Sequence, residues 1–107
     1  MASGWSKDEL AELRHHLRLL WVSFDPADAG KEDAYDEFVD EALKLCLDKK
    51  PLGEMTGLID WVTYKKFNRD RTVDSDEKNA VFAKKILAWY RDCQVLAGPV
   101  GDAPEAG

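Results

Sequence analysis

Residues 32–48 fall into two faces when wound as a helix, and no other stretch restricts the folding of this chain as strongly. Tyr35, Phe38, Val39, Ala42, Leu45 and Cys46 lie on one side, and Asp33, Asp36, Glu37, Asp40 and Glu41 on the other. Apolar residues at three- and four-residue intervals describe a helix that must bury one side against other elements. The opposite side is a block of carboxylates, which either stays in water or meets a basic surface. Asp33 with Glu37, Asp36 with Asp40 and Glu37 with Glu41 are like charges one turn apart. Each such pair costs an isolated helix about 0.2–0.5 kcal/mol.

Three further segments carry helical spacing. Ser6 followed by Glu9 fits a capping box, with Trp5 and Leu10 placed for a hydrophobic staple. Leu10, Leu13, Leu17, Leu20, Trp21 and Phe24 then recur along one side until Pro26, which predicts a helix over 7–24. Residues 25–31 read as a short loop, and Lys49, Lys50 and Pro51 end the second helix. The third helix is predicted over 53–67. Met55, Leu58, Ile59 and Val62 form one stripe there, while Trp61, Tyr64 and Phe67 lie on a different side. A helix apolar on two sides is central in a bundle or touches another chain, and Gly57 argues against a simple helix.

Residues 68–74 form a polar connector. Asp74 with Glu77 suggests another capping box, with Ser75 as a rival cap. The fourth helix, predicted over 75–97, carries Ala83, Ile86, Leu87, Tyr90, Cys93 and Ala97 on one face, widened by Phe82, Trp89 and Leu96. Gly98 and Pro99 stop it, and residues 98–107 are expected to be a flexible tail. No strand-like alternation competes. The expected fold is all-α: one domain over 1–97, a compact four-helix bundle with short loops and antiparallel neighbours.

Charge and composition narrow the function classes. The 107-residue chain has a formal charge of −6 and a pI near 4.8. An acidic surface disfavours nucleic-acid binding, which needs cations for phosphates. The charge is uneven. Residues 25–48 hold nine carboxylates against Lys31 and Lys44, whereas residues 65–71 hold Lys65, Lys66, Arg69 and Arg71 against Asp70. No apolar run approaches the roughly 20 residues of a membrane span. The first residues have no signal-peptide pattern, and Cys46 and Cys93 read as reduced core thiols, so a cytoplasmic protein is expected.

Catalytic and metal chemistry find little to work with. Glu12 and His15 have the Glu-x-x-His spacing of di-iron bundles, but those sites need two copies, and the chain's histidines are His15 and His16 alone. Residues 25–33 lack the alternating ligands of a calcium loop, and no glycine-rich phosphate loop exists. The expectation is a non-enzyme without cofactor or metal.

What remains is recognition. Asp33, Asp36, Glu37, Asp40 and Glu41 supply the charge of a partner-binding face, and Trp61 and Tyr64, with Phe67 and Trp89 as further candidates, supply aromatic anchors. The leading reading is an acidic protein-binding module for a basic partner, concretely an immunity or antitoxin-type inhibitor of a nuclease-like toxin. The alternative is a homo-oligomeric structural or scaffold protein, a homodimer in its simplest form, in which the second helix meets the 65–71 patch of another copy.

One pattern goes beyond periodicity. A leucine-rich first helix leads into Trp21-Val22-Ser23-Phe24-Asp25-Pro26 and a short acidic loop. Tyr35-Asp36-Glu37-Phe38 opens the second helix, Trp61 and Tyr64 close a third, and Ile86-Leu87-Ala88-Trp89 lies in the last. Over residues 10–92 this resembles a small all-helical bacterial family of uncharacterised function. The resemblance implies four helices and carries over no catalytic residue.

Overall fold

A computed structural model describes residues 5–97, with side chains described for 5–95. The expected tail over 98–107 and the side chains of Leu96 and Ala97 lie outside the described residues. The fold is an all-α four-helix bundle, and among the described residues there is no strand. Helix α1 spans Lys7–Phe24, α2 Asp36–Leu47, α3 Leu52–Asp60 and α4 Val73–Ala97, and α3 runs on into a π-helical segment, Trp61–Lys66. The main contacts are α1 with α2, α2 with α3, α3 with α4, and α4 back onto α1, so the helices close a ring in chain order.

α1 begins where its sequence places it. The Glu9 N–H donates to Ser6 Oγ at 3.1 Å, and the Ser6 N–H donates to Glu9 Oε1 at 2.8 Å, a complete capping box. Leu13, Leu17 and Trp21 are buried, with Leu10, Leu20 and Phe24 half-buried beside them. Trp5 packs partly against the core, and its indole N–H donates to Tyr90 Oη at 2.9 Å.

α2 starts four residues later than its sequence predicts. Residues 32–35 form turns, closed by the Ala34 N–H on Lys31 O at 3.4 Å and the Asp36 N–H on Asp33 O at 3.3 Å. The position before the helix is Tyr35, which has no side chain suited to capping, and its hydroxyl reaches instead into the preceding loop. Asp33 therefore stands outside the helix, and its pairing with Glu37 is not a helical one. At the other end Lys49 takes a left-handed conformation with φ 56°, and the Lys50 N–H reaches back to Leu45 O at 3.0 Å.

The two-sided pattern of 53–67 has a physical explanation in the π-helical segment. The wider turn, in which the Phe67 N–H bonds to Val62 O at 2.9 Å, shifts the register of the side chains that follow. Met55, Ile59 and Val62 are buried before the shift; Thr63 and half-buried Phe67 continue the inner face after it. The change falls at Trp61, not at Gly57. α4 begins earlier than expected, at Val73, and its cap is Thr72. The Ser75 N–H donates to Thr72 Oγ1, and the Thr72 N–H donates to Ser75 Oγ, both at 2.9 Å. Asp74 and Glu77 take no part in that cap.

The core is built around Trp21. Its ring centroid lies 5.4 Å from Tyr35 and 5.1 Å from Phe82, edge-on to the latter, and Phe24 stacks on Phe82 at 4.4 Å. The buried indole N–H of Trp21 finds no acceptor among the described residues, at a cost of about 1–3 kcal/mol. Cys46 is a buried free thiol and Cys93 a half-buried one.

Gly53 and Gly57 need a separate reason. Neither has positive φ, and a Cβ built on either would meet nothing within 4 Å. The fold itself thus has no use for a glycine at these positions, although glycine costs a helix interior about 1 kcal/mol relative to alanine. Gly57→Ala is expected to raise stability by about 1 kcal/mol, read as an increase of several degrees in Tm by thermal circular dichroism; an unchanged or lower Tm would mean that the fold does require this glycine.

Candidate functional site

The α1–α2 corner determines how α2 presents its charges. Asp25 ends α1 in a left-handed conformation with φ 50°, and its N–H bonds to Trp21 O at 2.8 Å. Its carboxylate accepts from the Ala29 N–H at 2.8 Å, the Gly30 N–H at 3.1 Å and the Tyr35 hydroxyl. The same hydroxyl accepts from the Ala27 N–H at 2.9 Å. Arg69 closes the loop from outside, donating Nε to Ala27 O at 2.6 Å. Burial opposes the charge on Asp25, but the hydrogen bonds from Tyr35, Ala29 and Gly30 and the Arg69 charge outweigh it and hold the carboxyl below its ordinary range. Burial first, then the bond to Asp25, pushes the Tyr35 phenol well above its usual value.

With the corner set, α2 lies along α1 and its carboxylates meet two arginines. Arg14 Nε is 2.6 Å from Asp40 Oδ1, and Arg18 Nε is 2.6 Å from Asp36 Oδ1. Both pairs are spaced four residues apart on their own helices, so one turn of α1 matches one turn of α2. Glu37 is held by Lys66 at 3.5 Å. Three of the five predicted acidic partner-binding residues are therefore matched to cations of the same chain. Asp33 and Glu41 are exposed, and neither forms an ion pair within the described residues.

The two predicted aromatic anchors also separate. Tyr64 is tied into the bundle: its hydroxyl lies 2.7 Å from Ser75 Oγ and donates to Asp76 Oδ1 at 2.8 Å, and the Arg71 guanidinium sits 4.7 Å above its ring. Arg71 also bridges Asp76 at 3.1 Å and Asp60 at 3.5 Å. Burial, followed by the Asp76 contact, raises the Tyr64 phenol, while the Tyr64 bond leads the interactions that lower Asp76. Trp61 is free by contrast. It is 50% exposed and packs edge-on against Phe38 of α2 at 5.9 Å. Phe67 is half-buried against Tyr35 at 5.5 Å, and Trp89 is half-buried beside Tyr90.

The other candidates are soon placed. Glu12, His15 and His16 are exposed on α1, with His16 Nε2 3.5 Å from Glu12 Oε1. Among the described residues no three potential ligands gather in a way that could hold a metal ion. Burial pushes the Cys46 thiol up to about 12, helped by neighbouring Cys93, so thiolate chemistry is suppressed there. Asn79, fully buried on α4, donates to Asp60 at 3.0 Å and to buried Thr63 at 3.3 Å, a polar tie between α3 and α4 that periodicity alone does not reveal.

Grooves between the helices are formed by described residues. One of about 480 Å³ lies between the corner and the start of α4, lined by Phe24, Asp25, Asp28, Asp74, Lys78 and Asn79 among others. Another, about 380 Å³, runs between α2 and α3 beside Glu41 and Glu54. No known protein family matches the chain, and neither a curated protein nor a solved structure shows significant similarity to it.

The corner makes a measurable contribution. A carboxylate whose folded pKa is lowered adds stability above its unfolded pKa and loses it as pH falls through the folded value. Tyr35→Phe removes the donor to Asp25 and the acceptor for Ala27, and is expected to cost about 2 kcal/mol in urea unfolding at neutral pH. That deficit should shrink as the pH is taken below the aspartate range. A deficit under about 0.5 kcal/mol at neutral pH would show that the corner holds without this hydroxyl.

Proposed function

We propose that this chain is a non-enzymatic protein-binding module for a basic partner, and that an immunity or antitoxin-type inhibitor of a nuclease-like toxin is the most concrete form of that role. One observation carries the reading: exposed carboxylates remain without an ion pair among the described residues, and Trp61 is half-exposed. Asp33, Glu41 and Glu54 have no ion pair among the described residues, and Trp61, braced on Phe38 of α2, presents an apolar ring to solvent. Charge of this kind steers a basic partner toward the surface, and a desolvated aromatic supplies binding energy once it has arrived.

The internal ion pairs favour some carboxylates over others for that role. Asp36 and Asp40 would have to give up Arg18 and Arg14 before meeting a partner, whereas Asp33, Glu41 and Glu54 need give up nothing. Exposed pairs are weak, about 0–1 kcal/mol each, so Asp36, Glu37 and Asp40 can add to the negative field at little cost. Among the described residues no helix is long and apolar enough to cross a membrane, which fits a cytoplasmic role.

Self-association is the second reading, and α4 supplies an observation for it. Val81, Ala88 and Val95 follow one another at seven-residue steps, with Val81 55% and Val95 73% exposed. The 65–71 patch contributes less to such a dimer than its sequence suggests, because Lys66, Arg69 and Arg71 are engaged within the chain. Light scattering over a wide concentration range separates the two readings. A constant mass near 12.1 kDa favours the binding module, and a rising mass favours the oligomer.

The leading reading is tested by affinity capture with the parent and with the triple variant Asp33→Lys, Glu41→Lys and Glu54→Lys, at low and moderate salt. A basic protein held by the parent, lost by the variant and weakened by salt is expected, with affinity falling about tenfold or more. Retention of the same protein by the charge-reversed variant would remove electrostatic recognition from the account.

A further inference from the structure

The groove between α2 and α3 combines features that the fold does not explain. Its base is apolar, with half-buried Leu45 from α2 and Leu58 from α3. Glu41 stands on the α2 wall and Glu54 on the α3 wall, both exposed and both without an ion pair among the described residues. Gly53 and Gly57 open the α3 side, with nothing within 4 Å of where a Cβ would stand. Trp61, one turn beyond Gly57 in the chain, is half-exposed and braced on Phe38 of α2.

Each feature suits a single kind of occupant. Missing Cβ atoms let another backbone approach closely. Opposed carboxylates over an apolar base match a lysine or arginine, whose aliphatic stem lies on leucine while its charged head reaches acidic oxygens. A half-exposed tryptophan offers an anchor that becomes desolvated only when covered. We propose that this groove is the docking site for an α-helix of the basic partner protein, with the helix backbone crossing the Gly53–Gly57 notch and a lysine or arginine seated between Glu41 and Glu54. This proposal rests on the protein-binding reading above and gives it a location and a ligand chemistry.

The test uses the full chain and a displayed library of amphipathic helical peptides randomised along one face. Enriched peptides are then measured against the parent, Gly57→Leu, the pair Glu41→Gln with Glu54→Gln, and Glu12→Gln as a remote control. Gly57→Leu adds a side chain that projects into the open notch and favours helix, so the fold is retained, which circular dichroism verifies. The expected result is enrichment of lysine or arginine flanked by apolar residues. Affinity should drop about tenfold or more in both groove variants and stay unchanged in the control. Basic peptides that bind Gly57→Leu as well as the parent would overturn the groove while leaving acidic recognition standing. Enriched peptides without basic residues, or no enrichment, would overturn the groove, and the affinity capture above then decides separately whether recognition of a basic protein stands.

Discussion

A single phenol oxygen joins the first half of this bundle. Tyr35 Oη donates to Asp25, which ends α1, and accepts from the Ala27 backbone in the loop that follows. Its ring lies against Trp21 on one side and Phe67 on the other. The hydroxyl thus anchors a loop whose residues 25 and 28 sit in left-handed conformations, a geometry costly for side chains other than glycine. Burying a tyrosine is favourable only when its O–H has partners, and the loop provides them. The same contacts decide where α2 begins and how it is rotated against α1.

That rotation divides the charges of α2. Asp36 and Asp40 face Arg18 and Arg14 across the α1–α2 seam, Glu37 turns toward Lys66, and Glu41 is left over the groove with Glu54 opposite. An acidic helix of this kind serves two purposes along its length. One part aligns two helices of the bundle through weak exposed pairs. The other leaves Glu41 over the α2–α3 groove without an ion pair among the described residues. The proposed recognition of a basic partner draws on the second part, and the first part fixes where it stands.

Much of the architecture was legible because the relevant signals are local. The Ser6–Glu9 capping box, the apolar stripe through Leu13, Leu17 and Trp21, and the face of α4 through Phe82, Ala83, Ile86 and Tyr90 all follow from spacing alone. The carboxylates from residue 32 onward continue a helical pattern and so predict an earlier start than the observed Asp36, whereas Tyr35 is drawn into a tertiary contact that no local pattern records. The π-helical segment left a trace as the second apolar side at Trp61, Tyr64 and Phe67, though its meaning as a register change needs the backbone. Within the candidate site, the structure divides the predicted carboxylates: Asp36, Glu37 and Asp40 pair within the chain, whereas Asp33 and Glu41 have no ion pair among the described residues. Arg14 and Arg18 share the four-residue spacing of Asp36 and Asp40, a signal that could have paired them. Gly53 and Gly57 share it too and point outward.

The central physical claim is that Asp25 is held as a carboxylate by the Tyr35 hydroxyl. The most direct measurement is the pH titration of the Asp25 carboxyl carbon by NMR, in the parent and in Tyr35→Phe. The account predicts a midpoint below the ordinary aspartate value in the parent and a clear upward move when the hydroxyl is removed. An ordinary or raised midpoint in the parent, unchanged in the variant, would contradict it and leave the placement of α2 without its stated cause.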